Sequence, residues 1–382
     1  MDHHKIDNLI VKHLENIITA EESSLLEDWL KDSNNKIYFN EFVEINYLIN
    51  SKNQFNYTSF LEKFKVITES NSQIKFRKYL KYAAAVLIFI SAGYFMTKDI
   101  AWLNENVAAE TQIKIGTNKA TLTLEDGSEV VLEKGNIYFS KTANSDGEKI
   151  IYNNAQNNSK ETKSNITYNY LTIPRGGEFY VQLSDSSKIW LNSETKIKFP
   201  VKFASGKIRK VELIYGEAYF DVSSSKKNNG ASFKVLTQSQ QIEVLGTEFN
   251  LKAYKNENVI ATTLVEGKVA VAPNNKKEIL NPSQQLNYNI SDKTIKILTI
   301  DTNLETSWRN GIFSFKEKSL KEIMKTLSRW YDTDIVFINK ELENIKFNGV
   351  LNKKQNIEHI LLTIKATNNI DYEINDNKIM IK

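Results

Sequence analysis

Four histidines, 46 carboxylates and no cysteine are the chemically versatile groups of this 382-residue chain. None of His3, His4, His13 and His359 falls in an H-E-x-x-H pattern, so neither a histidine-held metal nor an imidazole general base is predicted. Without cysteine there are no disulfides, no thiol catalysis and no thiolate metal sites, which suits either redox compartment. The carboxylates show no spacing that sets an acid apart from a nucleophile, as an exported glycosidase would require. The residues therefore predict a non-enzyme with no cofactor and no metal.

The distribution of charge says more than its sum of +4, which makes no case for direct nucleic-acid binding. Up to Glu62 there are 11 acids against 5 lysines, whereas Lys63 to Lys81 carries six basic residues against Glu69 alone. That basic run precedes Tyr82 to Thr97, an uncharged and mostly apolar stretch flanked by Lys81 and Lys98. Its 16 residues make about 24 Å of helix, slightly short of a bilayer core of about 30 Å. The stretch reads as a transmembrane helix, with a buried helix of a soluble core as the alternative. The positive-inside rule then keeps the N-terminal side in the cytoplasm and sends everything beyond about residue 98 across the inner membrane.

Apolar residues at helical spacing predict a small all-α domain over 1–75. Thr19-Ala-Glu-Glu22 reads as a capping box opening a helix with Leu25, Leu26, Trp29 and Leu30 on one face. Three or four such helices bury their apolar faces poorly on their own, and a protein partner would complete the burial. Trp29 as plain core is the competing reading.

After a linker at 98–109 the pattern becomes period-two alternation rich in Val, Ile, Tyr and Phe, which predicts an all-β barrel or sandwich over 110–300. Within it Leu124-Glu-Asp-Gly-Ser-Glu-Val-Val-Leu132 is echoed by Leu183-Ser-Asp-Ser-Ser-Lys-Ile-Trp-Leu191, both strand–turn–strand units. Residues 308–382 predict the order β-α-β-β-α-β-β, a small α+β domain whose first helix opens on the capping box Ser319-Leu-Lys-Glu322. The expected fold class is thus multidomain: an all-α N-terminal domain, one transmembrane helix at 82–97, a β-rich periplasmic domain and an α+β C-terminal domain.

Several strings resemble the FecR-type transmembrane anti-sigma factors in their Bacteroidetes form. They are Ile173-Pro-Arg-Gly-Gly-Glu178, Leu183 to Asn192, Gly216-Glu-Ala-Tyr-Phe-Asp-Val222, Val244-Leu-Gly-Thr-Glu-Phe-Asn250 and Thr262 to Val269. Trp308 to Phe315 and Leu327-Ser-Arg-Trp-Tyr331 are similar to the extra C-terminal domain of these members, itself like the short signalling domain of secretins and TonB-dependent receptors. The resemblance implies an extracytoplasmic-function sigma factor held by residues 1–75 and released or activated on a periplasmic signal from a TonB-dependent outer-membrane receptor. Leu25, Leu26, Trp29 and Leu30 are the sigma-binding candidates, and no receptor-binding residue is assigned. A membrane-anchored periplasmic adaptor without sigma contact is the runner-up.

Related regulators can be cleaved at a Gly-Thr pair, which makes Gly246-Thr247 a candidate self-cleavage site. There the threonine hydroxyl would attack the preceding carbonyl to give an ester that hydrolyses. The plainer reading has Gly246 turning the chain and Thr247 starting a strand. Arg175-Gly176-Gly177 and Val265-Glu266-Gly267 read as tight turns. Trp190, Trp308 and Trp330 read as core, with Trp308 also placed to seal a junction between the two exported domains.

Overall fold

The structure, a computed structural model, describes residues 9, 19–32, 35, 39, 113–153, 166–368 and 370–382. The chain divides into two compact units, Met1–Gln112 and Ile113–Lys382. In the first, helix α1 spans Ala20–Trp29. The capping box is formed: Glu22 N–H donates to Thr19 Oγ1 at 3.3 Å, and Thr19 N–H donates to Glu22 Oε2 at 3.1 Å. Leu26 and Leu30, one turn apart, are buried; Trp29 is half-buried and Leu25 is 44% exposed. The face expected to carry all four therefore splits, because Leu25 is rotated about 100° from Leu26 around the helix axis.

The apolar run 82–97 lies outside the described residues. The longest described helix has 12 residues, about 18 Å, too short for a hydrocarbon core of about 30 Å. No helix among the described residues is long and apolar enough to cross a membrane. The fold class expected from the sequence is corrected accordingly. The described residues form helix α1 in the first unit and a β-rich plus α+β second unit, and no transmembrane helix is among them.

Strands β1 Thr117–Thr123, β2 Glu129–Glu133, β3 Tyr138–Phe139, β4 Ala143–Ser145, β5 Lys149–Tyr152 and β6 Tyr168–Ile173 open the second unit. Then come β7 Gly177–Gln182, β8 Lys188–Leu191, β9 Thr195–Pro200, β10 Arg209–Asp221, β11 Phe233–Leu236 and β12 Gln240–Val244. β13 Glu248–Ala253, β14 Val259–Glu266, β15 Val269–Pro273, β16 Glu278–Leu280, β17 Gln284–Asn289 and β18 Ile295–Thr299 complete the β-rich part. Pairing gives two sheets. One runs β2-β1-β6-β9-β10-β11-β12-β15-β16, and the other β3-β4-β5-β7-β8-β10-β13-β14-β17-β18.

A single core lies between them, with Leu122, Leu171, Ile197 and Val211 from one sheet against Ile189, Phe220, Phe249 and Leu264 from the other. Strand β10 belongs to both sheets: its first half pairs with β9 and β11, its second with β8 and β13. It turns the corner at Gly216, where φ is +103° and a Cβ would stand 2.3 Å from Thr195 Oγ1, so a side chain fails there on both counts.

The C-terminal part follows the expected order. Helix α2 Thr302–Thr306 leads through a 3-10 turn, Ser307–Asn310, into β19 Ile312–Ser319. Then come α3 Leu320–Trp330, β20 Asp334–Phe337, β21 Lys346–Asn352, α4 Ile357–Asn368, β22 Tyr372–Asn375 and β23 Lys378–Ile381. Ser319 and Glu322 cap α3 reciprocally. β19 pairs with β21, while β20, β23 and β22 form a three-stranded sheet in that order. Leu320, Ile323 and Leu327 of α3 and Ile357, Ile360 and Leu361 of α4 make a second core.

The sequence echo is a geometric one. Gly127 N–H donates to Leu124 O at 3.0 Å and Ser128 N–H to Asp126 Oδ1 at 2.9 Å. Ser186 N–H donates to Leu183 O at 2.9 Å and Ser187 N–H to Asp185 Oδ1 at 2.9 Å. Gly127 has φ +83°, and Ser186 holds the equivalent place at φ +68° with a side chain that resists it. Ser186→Gly is expected to stabilise the protein by about 1 kcal/mol, read as a higher denaturant midpoint at unchanged slope.

Candidate functional site

The strings that carry the resemblance alternate along their strands, and alternation gives them two jobs. In β10, Ala218 and Phe220 point into the β core while Glu217 and Tyr219 point out of the sheet. Phe249 of β13 and Leu191 of β8 point inward; Asn250 and Trp190 share the outer face with Tyr219, their register partner. The outer face is not left to water: Tyr219 is buried in the core of the C-terminal part, with Trp190 and Val265 packed against it.

Tyr180, Trp190 and Tyr219 form an edge-to-face ladder with centroids 5.1 and 5.8 Å apart. The Arg309 guanidinium lies 4.0 Å over the Tyr219 ring. Tyr219 O–H donates to Glu248 Oε2 at 2.5 Å. Burial, with that carboxylate beside it, pushes the phenol above its ordinary value and keeps it a donor.

Beside the ladder, Glu217 is buried and accepts from Asn192 Nδ2 and Asn250 Nδ2, both at 2.9 Å. Trp308 Nε1–H donates at 3.3 Å to Asn250 Oδ1, so Trp308 caps this polar layer as the expected seal of the junction. Each buried polar atom in the chain from Glu217 to Trp308 thus has a partner, which burial of such groups demands.

Three cations tie the parts together across long stretches of sequence. Arg175 Nη1 meets Asp334 Oδ1 at 3.0 Å, Nε meets Asp332 Oδ1 at 3.3 Å, and Nη2 donates to Thr333 O at 2.6 Å. Arg329 is buried and meets Glu194 at 3.1 Å and Glu257 at 2.9 Å, its guanidinium 3.6 Å over the Tyr254 ring. Lys353 is buried, pairs with Glu178 Oε2 at 2.5 Å and lies 3.7 Å over the Trp330 ring. Burial pulls Lys353 below the ordinary lysine value, against the pull of Glu178. A small cleft between the parts is lined by Asn192, Glu217, Tyr254, Arg329 and Trp330.

Arg175-Gly176-Gly177 is the turn expected from the sequence, but the arginine is also a tie to residues more than 150 positions away, which was not expected. The signal that could have found it was an arginine in a turn within the string Ile173 to Glu178. Gly246 lies in a bend at φ +148°, and Thr247 precedes β13 with its hydroxyl donated to Lys268 O at 3.1 Å. No hydrogen bond between Thr247 Oγ1 and an ionisable group occurs among the described residues. His359 is exposed on α4.

Two outcomes are expected at the junction. Glu178→Ala strands a buried ammonium and should cost about 3 kcal/mol, whereas Lys353→Met leaves Glu178 partly in water and should cost less than about 1 kcal/mol; denaturant unfolding of the two variants checks the order. Burial alone would raise Glu257, but Lys252 and Arg329 outweigh it and hold the carboxyl below 4.5. Its stabilisation is therefore complete above about pH 4.5 and is lost as the pH falls through the folded value. Thermal unfolding from about pH 7 to about pH 3.5 should show part of that loss missing in Glu257→Gln.

Two family models match the chain: FecR protein over residues 169–270 and FecR, C-terminal over residues 312–381. No curated protein matches it. Among solved structures, a candidate anti-sigma factor from Parabacteroides distasonis ATCC 8503, determined at 1.65 and 2.50 Å resolution, is similar. Each of those structures is 27% identical with a TM-score of 0.51, covering 56% of this chain and 98% of the other. The first FecR match holds β10, the ladder and Glu217, and the second holds Arg329 and Lys353, so the two matched regions meet at the junction. The chain thus carries a FecR domain and a FecR C-terminal domain.

Proposed function

We propose that this protein is a membrane-associated anti-sigma regulator whose N-terminal unit binds an extracytoplasmic-function sigma factor and whose C-terminal unit receives the signal that releases or activates it. The observation that carries the reading is the pairing of a FecR domain with a FecR C-terminal domain, in a fold similar to a candidate anti-sigma factor. A regulator suits the site: the junction is a set of interlocked ties between two protein parts, arranged to hold and to let go.

The source of the signal is, in this reading, a TonB-dependent outer-membrane receptor acting from the periplasm. β20 and β22 are the edges of the three-stranded sheet, and neither has a second strand partner among the described residues. A receptor segment could add to such an edge by main-chain hydrogen bonds. On the sigma side, Leu25 is the candidate that the structure leaves exposed, with Trp29 half-buried beside it. Leu26 and Leu30 support the helix from within.

The test is capture of a sigma factor from native extract by the full chain. Leu25→Asp should cut recovery about tenfold while helical content stays unchanged, since an exposed leucine contributes little to folding but about 1–3 kcal/mol when buried at an interface. Recovery of no sigma factor by the unaltered chain would sink the reading and move the sigma-free adaptor ahead of it.

A further inference from the structure

The chain reaches the second unit through residues 113–117, and this segment lies at the junction. Ile113 packs against the core of the C-terminal part. At Gly116 the Trp330 ring sits so close that a Cβ would stand 2.6 Å from its Cδ2 and Cε3. Thr117 N–H donates to Gly176 O at 3.0 Å, and Gly176 N–H donates in turn to Arg329 O at 2.7 Å. β1 then pairs with β7 for two residues, Thr117 with Gly177 and Asn118 with Glu178. Only from Ala120 onward does the strand reach the β core.

Gly116 and Thr117 are thus held by the end of α3 and by the turn 174–177, and that turn is itself fastened to α3 and β20 by Arg175. Trp330 does three things at once: its ring covers Gly116, its face takes the Lys353 ammonium, and its Nε1–H donates to Lys353 O at 2.8 Å. Glycine at 116 fits this role because the indole occupies the space a side chain would need.

We propose that the C-terminal end of α3 clamps residues 113–117, so that shifting the C-terminal domain away from the β-rich part frees the segment that leads back to the N-terminal unit. As a contact the clamp stands on the geometry above. As a step in signalling it rests on the regulator reading, and it supplies the element through which a signal at the C-terminal domain would be passed on. Any displacement of β20 pulls on Arg175 through Asp334 and Thr333, and hence on the turn that accepts from Thr117.

The test needs neither sigma factor nor receptor, so its failure is distinct from failure of the regulator reading. Hydrogen–deuterium exchange is followed in the full chain and in Arg175→Ala/Arg329→Met, which loosens the domain contact without touching Leu320, Ile323 or Leu327 of the C-terminal core. Exchange over 113–118 should rise about tenfold in the variant while β13 and β14 keep their protection. Gly116→Ala, approached from the other side, should speed exchange at Arg329–Tyr331. Faster exchange over 312–381 with no change at 113–118 would overturn the clamp, and so would a uniform rise across all strands, which would mean that the segment has no opening of its own.

Discussion

A thirteen-residue strand that serves two cores at once is the constraint on which the rest of this structure depends. β10 crosses both sheets, and each residue of its second half is committed by the pleat to one side or the other. Ala218 and Phe220 fill the β core; Glu217 and Tyr219 stand on the opposite face, where the C-terminal domain closes over them. A slip of one residue would place a carboxylate in the β core and a phenylalanine among asparagines, so the register is fixed from both sides. Gly216 is the hinge of this arrangement, since it lets the strand change sheets while Thr195 packs against its backbone.

The second face is unusual in its chemistry. A carboxylate held by two asparagine amides, a tyrosine bonded to a glutamate and three paired cations are costly to bury, and each is costlier still if its partner leaves. Such a contact specifies one geometry sharply and gives it up sharply. An apolar interface of the same size would hold the two parts with less discrimination of position. The polar layer thus fits a molecule whose two parts must be held in one relation until an outside event changes it. Segment 113–117, lying under Trp330, is where that relation touches the rest of the chain.

Much of this was legible in the residues. Both capping boxes, Thr19 with Glu22 and Ser319 with Glu322, form as spacing predicts, because the motif is local and needs only four residues. Alternation located the strands, and the C-terminal order of strands and helices follows the sequence reading. The junction was hidden for a physical reason. Polar residues at alternate positions of a strand read as a face in water, so Asn192, Glu217 and Asn250 carried no mark of burial. Arg175 meets Asp334 from 159 positions away and Lys353 meets Glu178 from 175, distances over which periodicity carries no information. Trp308 was the exception, as a large aromatic at the boundary between two patterns. The face of α1 divided because four residues within six positions span more than one side of a helix.

The central claim is that the β-rich part and the C-terminal domain act as one body through their buried polar junction. Scanning calorimetry of the full chain tests it most directly. The account predicts that residues 113–382 unfold in one cooperative transition, and that Glu217→Ala with Arg329→Met splits it in two, the C-terminal domain melting first. Two separate transitions in the unaltered protein would contradict it, since the junction would then be a contact between independent domains.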